Sequence, residues 1–445
     1  TNTFWEYSRD FWDYQNRSSF LMRQGMSVID LCLYLGDNAP VRILTHRLPV
    51  IPAGFDFDAF STDALFTRME VKEGRIVLPD GVSYQMMVLP RNGEITLEAL
   101  RKIASLVQAG ASVYGTRPQR SGTLHDLEHM VEYEELVNMM WGRNNTPQGC
   151  SHYGKGTVYW GMSLTDAVSK AGMMPDVTVP EKRKFYYAHR TLWDGEIYFL
   201  DNHEDTPLAH TFIFRTSKRY AELWNPVTGK RYSLQSTLTA DGRISVPLQM
   251  AARESYFVIF SDAQSTSQLP VKEWNMQEKK TFIQGDWTVD FSEKLGGPGK
   301  VVFTALTDWT SHKDERIKYY SGTAVYRHNL MMDDKRSESR YLLRFAKLAS
   351  IARIVLNGRE VGTVWCSPWE IDITEALETG ENKLEIYVAN SLMNRMIGDS
   401  MLPEDQRITY SATSIATPGM SLIPSGIIGS VQLVRQMSAS NSSDK

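Results

Sequence analysis

Apolar residues recur at two different periods along this chain, and the change comes once, near residue 184. Before it, short apolar runs alternate with stretches whose apolar residues fall three and four apart, the pattern of a strand followed by an amphipathic helix. After it the helical period is gone, and short apolar or alternating runs are punctuated by turn residues. No single uniform fold accommodates both. The first part predicts a parallel sheet with right-handed crossovers, the second antiparallel β structure. A length of 445 residues fits this division, since roughly 150 residues per domain gives about three domains.

The opening residues stand apart. Phe4, Trp5, Phe11, Trp12, Leu21 and Met22 fall at helical spacing up to Gly25, and an apolar run over 28–35 reads as a buried strand. One helix and one strand cannot make a domain, so 1–42 is expected to be the last unit of a β/α structure. The chain starts directly in that helix, with no initiator Met and no signal region, like a piece of something longer.

Residues 43–183 predict a flavodoxin-like parallel α/β domain. A strand over 84–89 follows the Asp80-Gly81 turn. A helix capped by Thr96 sets Leu97, Leu100, Ile103 and Val107 on one face before Gly110. Strand 112–114, a helix over about 126–141, strand 157–160 and a short helix through Ala171 complete the series. Residues 184–262 predict a small antiparallel β-sandwich, with strands over 196–202, 210–214 and 255–260. Residues 270–437 predict a jelly-roll β-sandwich. It contains an Asn357-Gly358 hairpin signal and clean alternation over 383–388. The Ser/Asn-rich tail, 438–445, predicts disorder.

Composition narrows the partners. Apolar residues make up 42% and charged residues 22%, ordinary globular values. A net charge of −4 gives no reason to expect nucleic acid or an anionic membrane surface. No run approaches the roughly 18 apolar residues of a membrane span. Cys32, Cys150 and Cys366 are too few and too scattered for a disulfide framework or a CxxC metal site. The aromatic content of 11% suits carbohydrate handling and sandwich cores equally.

Four local patterns touch on chemistry. Residues 149–156 nearly match a phosphate loop, but Gly156 stands where Ser or Thr should be, and the loop precedes a strand; a connecting loop is the better reading. His125, Glu128 and His129 fit a zinc spacing that three residues satisfy cheaply, and a solvated helix start explains them. Ser163 follows a strand and opens a helix without the second Gly of a nucleophile elbow, so it reads as an N-cap. Asp56 and Asp58 are the more interesting pair. In an extended segment they point the same way and suit sugar hydroxyls or a hard cation such as calcium, with turn capping as the plainer alternative. In the last domain Trp365, Trp369, Tyr319 and Tyr320 are candidates for stacking on a pyranose, or for core packing. Arg395 and Asp399 sit where a loop would project toward a partner, or form a local ion pair.

Several words occur in a specific order. They include Ser321-Gly322-Thr323-Ala324-Val325-Tyr326, Leu356-Asn357-Gly358, Trp365-Cys366-Ser367-Pro368-Trp369, Asp372-Ile373-Thr374 and Asn394-Arg395-Met396-Ile397-Gly398-Asp399. The set resembles the galactose-binding-like jelly roll of glycoside hydrolase family 106, the α-L-rhamnosidase-like enzymes. The stretch Leu48-Pro49 through Pro52-Ala53-Gly54-Phe55-Asp56-Phe57-Asp58, with Met87-Val88-Leu89-Pro90, Ala188-His189-Arg190, Ile197-Tyr198-Phe199 and the words over 222–229, resembles the same family.

That resemblance implies an enzyme removing L-rhamnose from plant or bacterial glycans, whose upstream (β/α)8 barrel carries two acidic catalytic residues; residues 1–42 would then be the last helix and strand of that barrel. Neither carboxylate maps onto this sequence, so the chain alone is expected to be inactive or nearly so. A carbohydrate-binding module or a structural scaffold are the other readings. The expected substrate-side residues are Asp56, Asp58, Trp365, Trp369 and Arg395. Calcium is a candidate cofactor, though no full oxygen ligand set can be assembled. The family also implies a periplasmic or secreted location.

Overall fold

The computed structural model describes residues 3–37, 43, 48–144, 146–264, 268–274, 276–410 and 415–437. The tail 438–445, expected to be disordered, lies outside them.

Five strands of the first sheet run parallel, in the order Phe57–Phe60, Leu31–Tyr34, Met86–Val88, Ser112–Tyr114, Gly156–Trp160, and Gly149–Tyr153 adds an antiparallel sixth. In chain order the parallel strands stand 2-1-3-4-5, the flavodoxin-like arrangement. All four residues of Leu31–Tyr34 and all three of Met86–Val88 are buried, as strands covered on both faces must be. Helix Leu97–Ala109 is held at its start by Thr96 Oγ1, which accepts from Ala99 N at 3.4 Å, and ends at Gly110. Ser163 caps helix Leu164–Lys170 by accepting from Asp166 N at 3.0 Å.

Three expectations change. Strand Leu31–Tyr34 is not the closing strand of a barrel: it lies between Phe57–Phe60 and Met86–Val88 as an inner strand of this sheet. An apolar run states that a strand is buried but not which sequence-distant neighbours bury it. The helix expected from about 126 begins at Met130 instead, after a 3₁₀ turn Leu124–His129. Asp126 in that turn is buried and accepts from Leu97 N at 2.8 Å, capping a different helix. Residues 149–156 form a hairpin rather than a loop, with Gly156 paired to Tyr153.

The second unit is a sandwich of a six-stranded sheet and a three-stranded sheet around Tyr198, Phe212, Phe214, Val258 and Phe260. The N-terminal segment contributes to it as well, because Met26–Ser27 pairs with Phe185–Thr191 at the edge of the larger sheet. The third unit packs a four-stranded sheet on a six-stranded one, the jelly-roll sandwich, around Trp287, Phe291, Trp309, Tyr326 and Ile354. Its hairpin joins Ile351–Leu356 to Arg359–Val364, with Asn357 at φ 54° and Gly358 at φ 76°, the left-handed pair a tight two-residue turn requires.

Helix Arg9–Met22 joins the two sandwiches. Leu21 packs with Ile197 and Phe257, and Arg17 donates to the carbonyls of Pro226 and Val227 at 2.9 and 3.0 Å. Further along its length, Phe11 and Tyr14 meet the edge of Trp365, and Asp10 accepts from Thr363 N at 2.9 Å. Trp12 and Phe20 of this helix, and Trp5 in the 3₁₀ turn Trp5–Tyr7 before it, stay exposed, with Trp5 and Trp12 edge to face at 6.3 Å between ring centroids.

Candidate functional site

A cluster of buried charged residues lies where the α/β unit meets the first sandwich. Asp30 immediately precedes strand Leu31–Tyr34 and is 1% exposed. Both its carboxylate oxygens accept from Arg215 Nη2 at 3.0 Å, and its carbonyl accepts from Gln85 N at 2.7 Å. Arg215 follows strand Leu208–Phe214 of the sandwich and also reaches Asp176 at 3.3 Å. Asp176, 1% exposed as well, takes a hydrogen bond from Tyr198 at 3.2 Å and pairs with His189 Nδ1 at 3.0 Å. The other ring nitrogen of His189 stands 3.5 Å from Glu196, and the ring stacks on Tyr198 at 3.9 Å between centroids. Two buried carboxylates, a buried imidazole and a guanidinium that is one-quarter exposed thus hold two units together.

The Gly54 segment belongs to this junction. At φ +77° its missing side chain leaves room for the chain at Val177: a Cβ there would stand 2.2 Å from the Val177 carbonyl. Gly54 O accepts from Asp176 N at 2.8 Å. Asp56 therefore comes within electrostatic reach of Asp30 and Asp176. Burial pushes its carboxyl above the usual range, and the bond from Phe57 N only partly offsets this. Asp58 is engaged elsewhere, accepting from Tyr84 OH at 2.8 Å.

At the opposite, carboxyl ends of the parallel strands, where doubly wound folds receive ligands, Asp37 fills the switch point. It accepts from Tyr34 OH at 2.5 Å, Thr62 Oγ1 at 2.6 Å and Thr96 N at 3.1 Å. Burial opposes its charge, but those bonds outweigh it and hold the carboxyl below its usual range.

The aromatic and basic candidates of the last unit do not share one surface. Trp365 packs against Tyr7, Ile351, Phe11 and Tyr14, so it seats the N-terminal helix. Trp369 packs on the jelly-roll core, and Tyr320 lies wholly within that core. Arg395 is 7% exposed in helix Met393–Ser400 and pairs with Asp399 at 3.7 Å. Asp399 also accepts from Ile408 N, Thr409 N and Thr409 Oγ1 at 3.1, 2.7 and 2.6 Å, tying down the strap that follows. Among the described residues no three His, Cys, Asp or Glu side chains are arranged to hold a metal ion. No helix among them is long and apolar enough to cross a membrane.

The interdomain cluster is the part that sequence reasoning missed. One signal was available: Asp30 is the single charge inside the apolar run 28–35, and a charge in such a run needs a buried partner.

Comparison with known proteins settles the family. The model for glycoside hydrolase family 106, described as alpha-L-rhamnosidase, matches residues 1–237. The chain belongs to that family. A second model, the glycosyl hydrolase 2 galactose-binding domain-like family, matches residues 305–412, inside the jelly roll. The family-106 chain superposes on the rhamnosidase from Novosphingobium sp. PP1Y with a TM-score of 0.79 and 30% identity, covering 98% of itself and 41% of that protein. It is 22% identical to a protein of Formosa agariphila named "Putative beta-glucuronidase", over 91% of itself and 53% of the relative. This family-106 chain therefore spans about half the length of the curated relative it matches, and less than half of the solved rhamnosidase.

His189 yields a pH prediction for this family member. Burial disfavours its charge, but the bonds to Asp176 and Glu196 prevail and raise its pKa above the ordinary value near 6.5. A raised imidazole contributes its stability fully below about pH 6.5, and the contribution fades as pH rises through the folded value. The melting temperature is expected to fall across that window, and His189→Gln, which keeps hydrogen-bonding capacity without titrating, is expected to flatten the fall. Calorimetry of both proteins between pH 5.5 and 8.5 checks it; parallel curves would contradict it.

Proposed function

We propose that this chain is the C-terminal accessory part of a glycoside hydrolase that cleaves terminal L-rhamnosyl linkages, acting with an upstream (β/α)8 barrel that supplies the catalytic acid and base. The observation that carries this reading is the likeness to the Novosphingobium rhamnosidase, which takes in 98% of this chain yet 41% of that protein. The polar residues built into the junction here support it too: Asp30 and Asp176 are engaged by Arg215, His189 and Tyr198 in holding units together.

The barrel's docking surface in this proposal is the open apolar surface made by helix Arg9–Met22, where Phe20 is 64% and Trp12 47% exposed, and by Trp5, 64% exposed in the 3₁₀ turn Trp5–Tyr7 before it. A cluster of exposed large apolar side chains is the usual mark of an interface. The enzyme would act on rhamnose-containing glycans in the periplasm or outside the cell.

The test is association in trans. The 445-residue chain is expected to co-sediment with a separately produced polypeptide carrying the barrel of the same protein, and Trp12→Glu to weaken that association at least tenfold. Failure of the unmodified pair to associate at micromolar concentration would remove the reading.

A further inference from the structure

We propose that the strap following helix Met393–Ser400 is a second docking surface for the upstream barrel, so that the barrel rests on the jelly roll as well as on helix Arg9–Met22. The described parts of the strap are residues 401–410 and 415–425. Met401, Ile408, Tyr410, Ile415, Met420 and Ile423 within them are all exposed, Tyr410 at 92%. Large apolar side chains turned outward at this density mark a surface that a partner covers.

The strap is held in place from both ends. Asp399 accepts from the backbone of Ile408 and Thr409, and Arg407 Nε donates to the Leu402 carbonyl at 3.0 Å. Asn394 bonds both backbone groups of Ile423, accepting from its N–H at 2.8 Å and donating to its carbonyl at 2.7 Å. Ser425 N donates to Asp308 at 3.0 Å. A surface fixed in this way loses little further conformational entropy when a partner covers it.

The occupant follows from where the N-terminal segment joins the jelly roll. Thr3 Oγ1 donates to the carbonyl of Asn390, and Tyr7 packs on Ile351 and Ala389. Asn390 in turn donates to Ser425 Oγ at 2.9 Å, at the foot of the strap, and accepts from Gly322 N at 3.0 Å. From Gly322 an apolar surface leads back to the strap. A Cβ on Gly322 would collide with Leu295 Cδ1, and one on Gly296 would collide with Ile408 Cδ1, so Leu295 and Ile408 each lie against a bare glycine, and both are exposed. Polypeptide preceding Thr3 therefore departs beside the strap and two residues from the exposed Trp5. A barrel attached there, with its outer ring of helices, is the body placed to cover both surfaces. The Novosphingobium rhamnosidase, of which this chain covers 41%, has polypeptide enough for such a body outside the matched part.

This inference rests on the accessory role proposed above, and hydroxyl-radical footprinting, which reads exposure at Met, Tyr and Trp side chains, separates the two. Between the 445-residue chain alone and the intact enzyme that includes the barrel, modification of Met401, Tyr410 and Met420 is expected to fall about fivefold. Met331, exposed near the far end of strand Thr323–Met332, is expected to stay unchanged. The double change Tyr410→Glu and Ile415→Glu in the intact enzyme is expected to restore modification of Met401 and Met420 about threefold, with the melting temperature of the jelly roll unchanged. Protection of Trp5 and Trp12 with the strap left unprotected would overturn this inference and leave the accessory role standing, whereas protection at neither place would overturn both. No effect of the double change would also overturn it. So would strap protection that appears in the 445-residue chain alone as its concentration rises, which would assign the surface to a second copy.

Discussion

Replacing Arg215 with alanine is expected to destabilise the junction between the α/β unit and the first sandwich by about 3–5 kcal/mol. The size follows from what is left behind. Asp30 and Asp176 are each 1% exposed, and both lose their guanidinium. Removing one partner of a buried ion pair costs far more than the pair contributed, because the remaining charge stays out of water unpaired. His189 would still serve Asp176, whereas Asp30 would be left with the Gln85 side-chain amide, a neutral donor. Arg215→Lys is expected to recover part of the loss, since it restores the charge beside Asp30 without the second nitrogen that bonds the Met174 carbonyl. Urea unfolding followed by the fluorescence of Trp193 and Trp224 against that of the jelly roll would locate the effect, as three units need not unfold together. A loss below about 1 kcal/mol in the first sandwich would mean that the junction does not depend on this network.

The second large effect belongs to the jelly roll. Trp309→Ala is expected to cost about 3–5 kcal/mol, the range for deleting a buried aromatic. Trp309 is wholly buried, lies parallel to Tyr326 at 6.5 Å, and donates to its hydroxyl at 2.5 Å. It rests directly on Gly426, where a Cβ would stand 2.4 Å from its indole nitrogen. The backbone beside it is pinned, since Asp308 accepts from Ser425 N and Thr310 N at 3.0 Å each. Trp309→Phe is expected to lose less, keeping the ring and giving up the hydrogen bond. Unfolding of the last sandwich checks both, with the α/β transition as an internal reference.

Much of this architecture was legible in the sequence because it is written locally. Thr96 and Ser163 cap the helices they were expected to cap, and Asn357-Gly358 turns the expected hairpin. Each depends on a few adjacent residues and on backbone geometry that those residue types favour. What escaped is non-local. Strand Leu31–Tyr34 has parallel neighbours 26 to 55 positions away, read from Leu31 paired with Phe57 and with Met86, and no turn signal announces such a pairing. The cluster of Asp30, Asp176, His189 and Arg215 assembles from four separate segments, so its parts look like ordinary single charges. Asp56 and Asp58 illustrate the gap well. Their alternation suggested one shared role, whereas Asp56 faces the junction's charges and Asp58 is bonded to Tyr84.

In the proposed function these units assist glycoside cleavage and depend on acid and base groups carried elsewhere. The most direct measurement is the release of 4-nitrophenol from 4-nitrophenyl α-L-rhamnopyranoside by the purified 445-residue chain, prepared from a host lacking that activity. The prediction is no release above the buffer blank, and release once the barrel polypeptide is added. Steady turnover by the chain alone would contradict it.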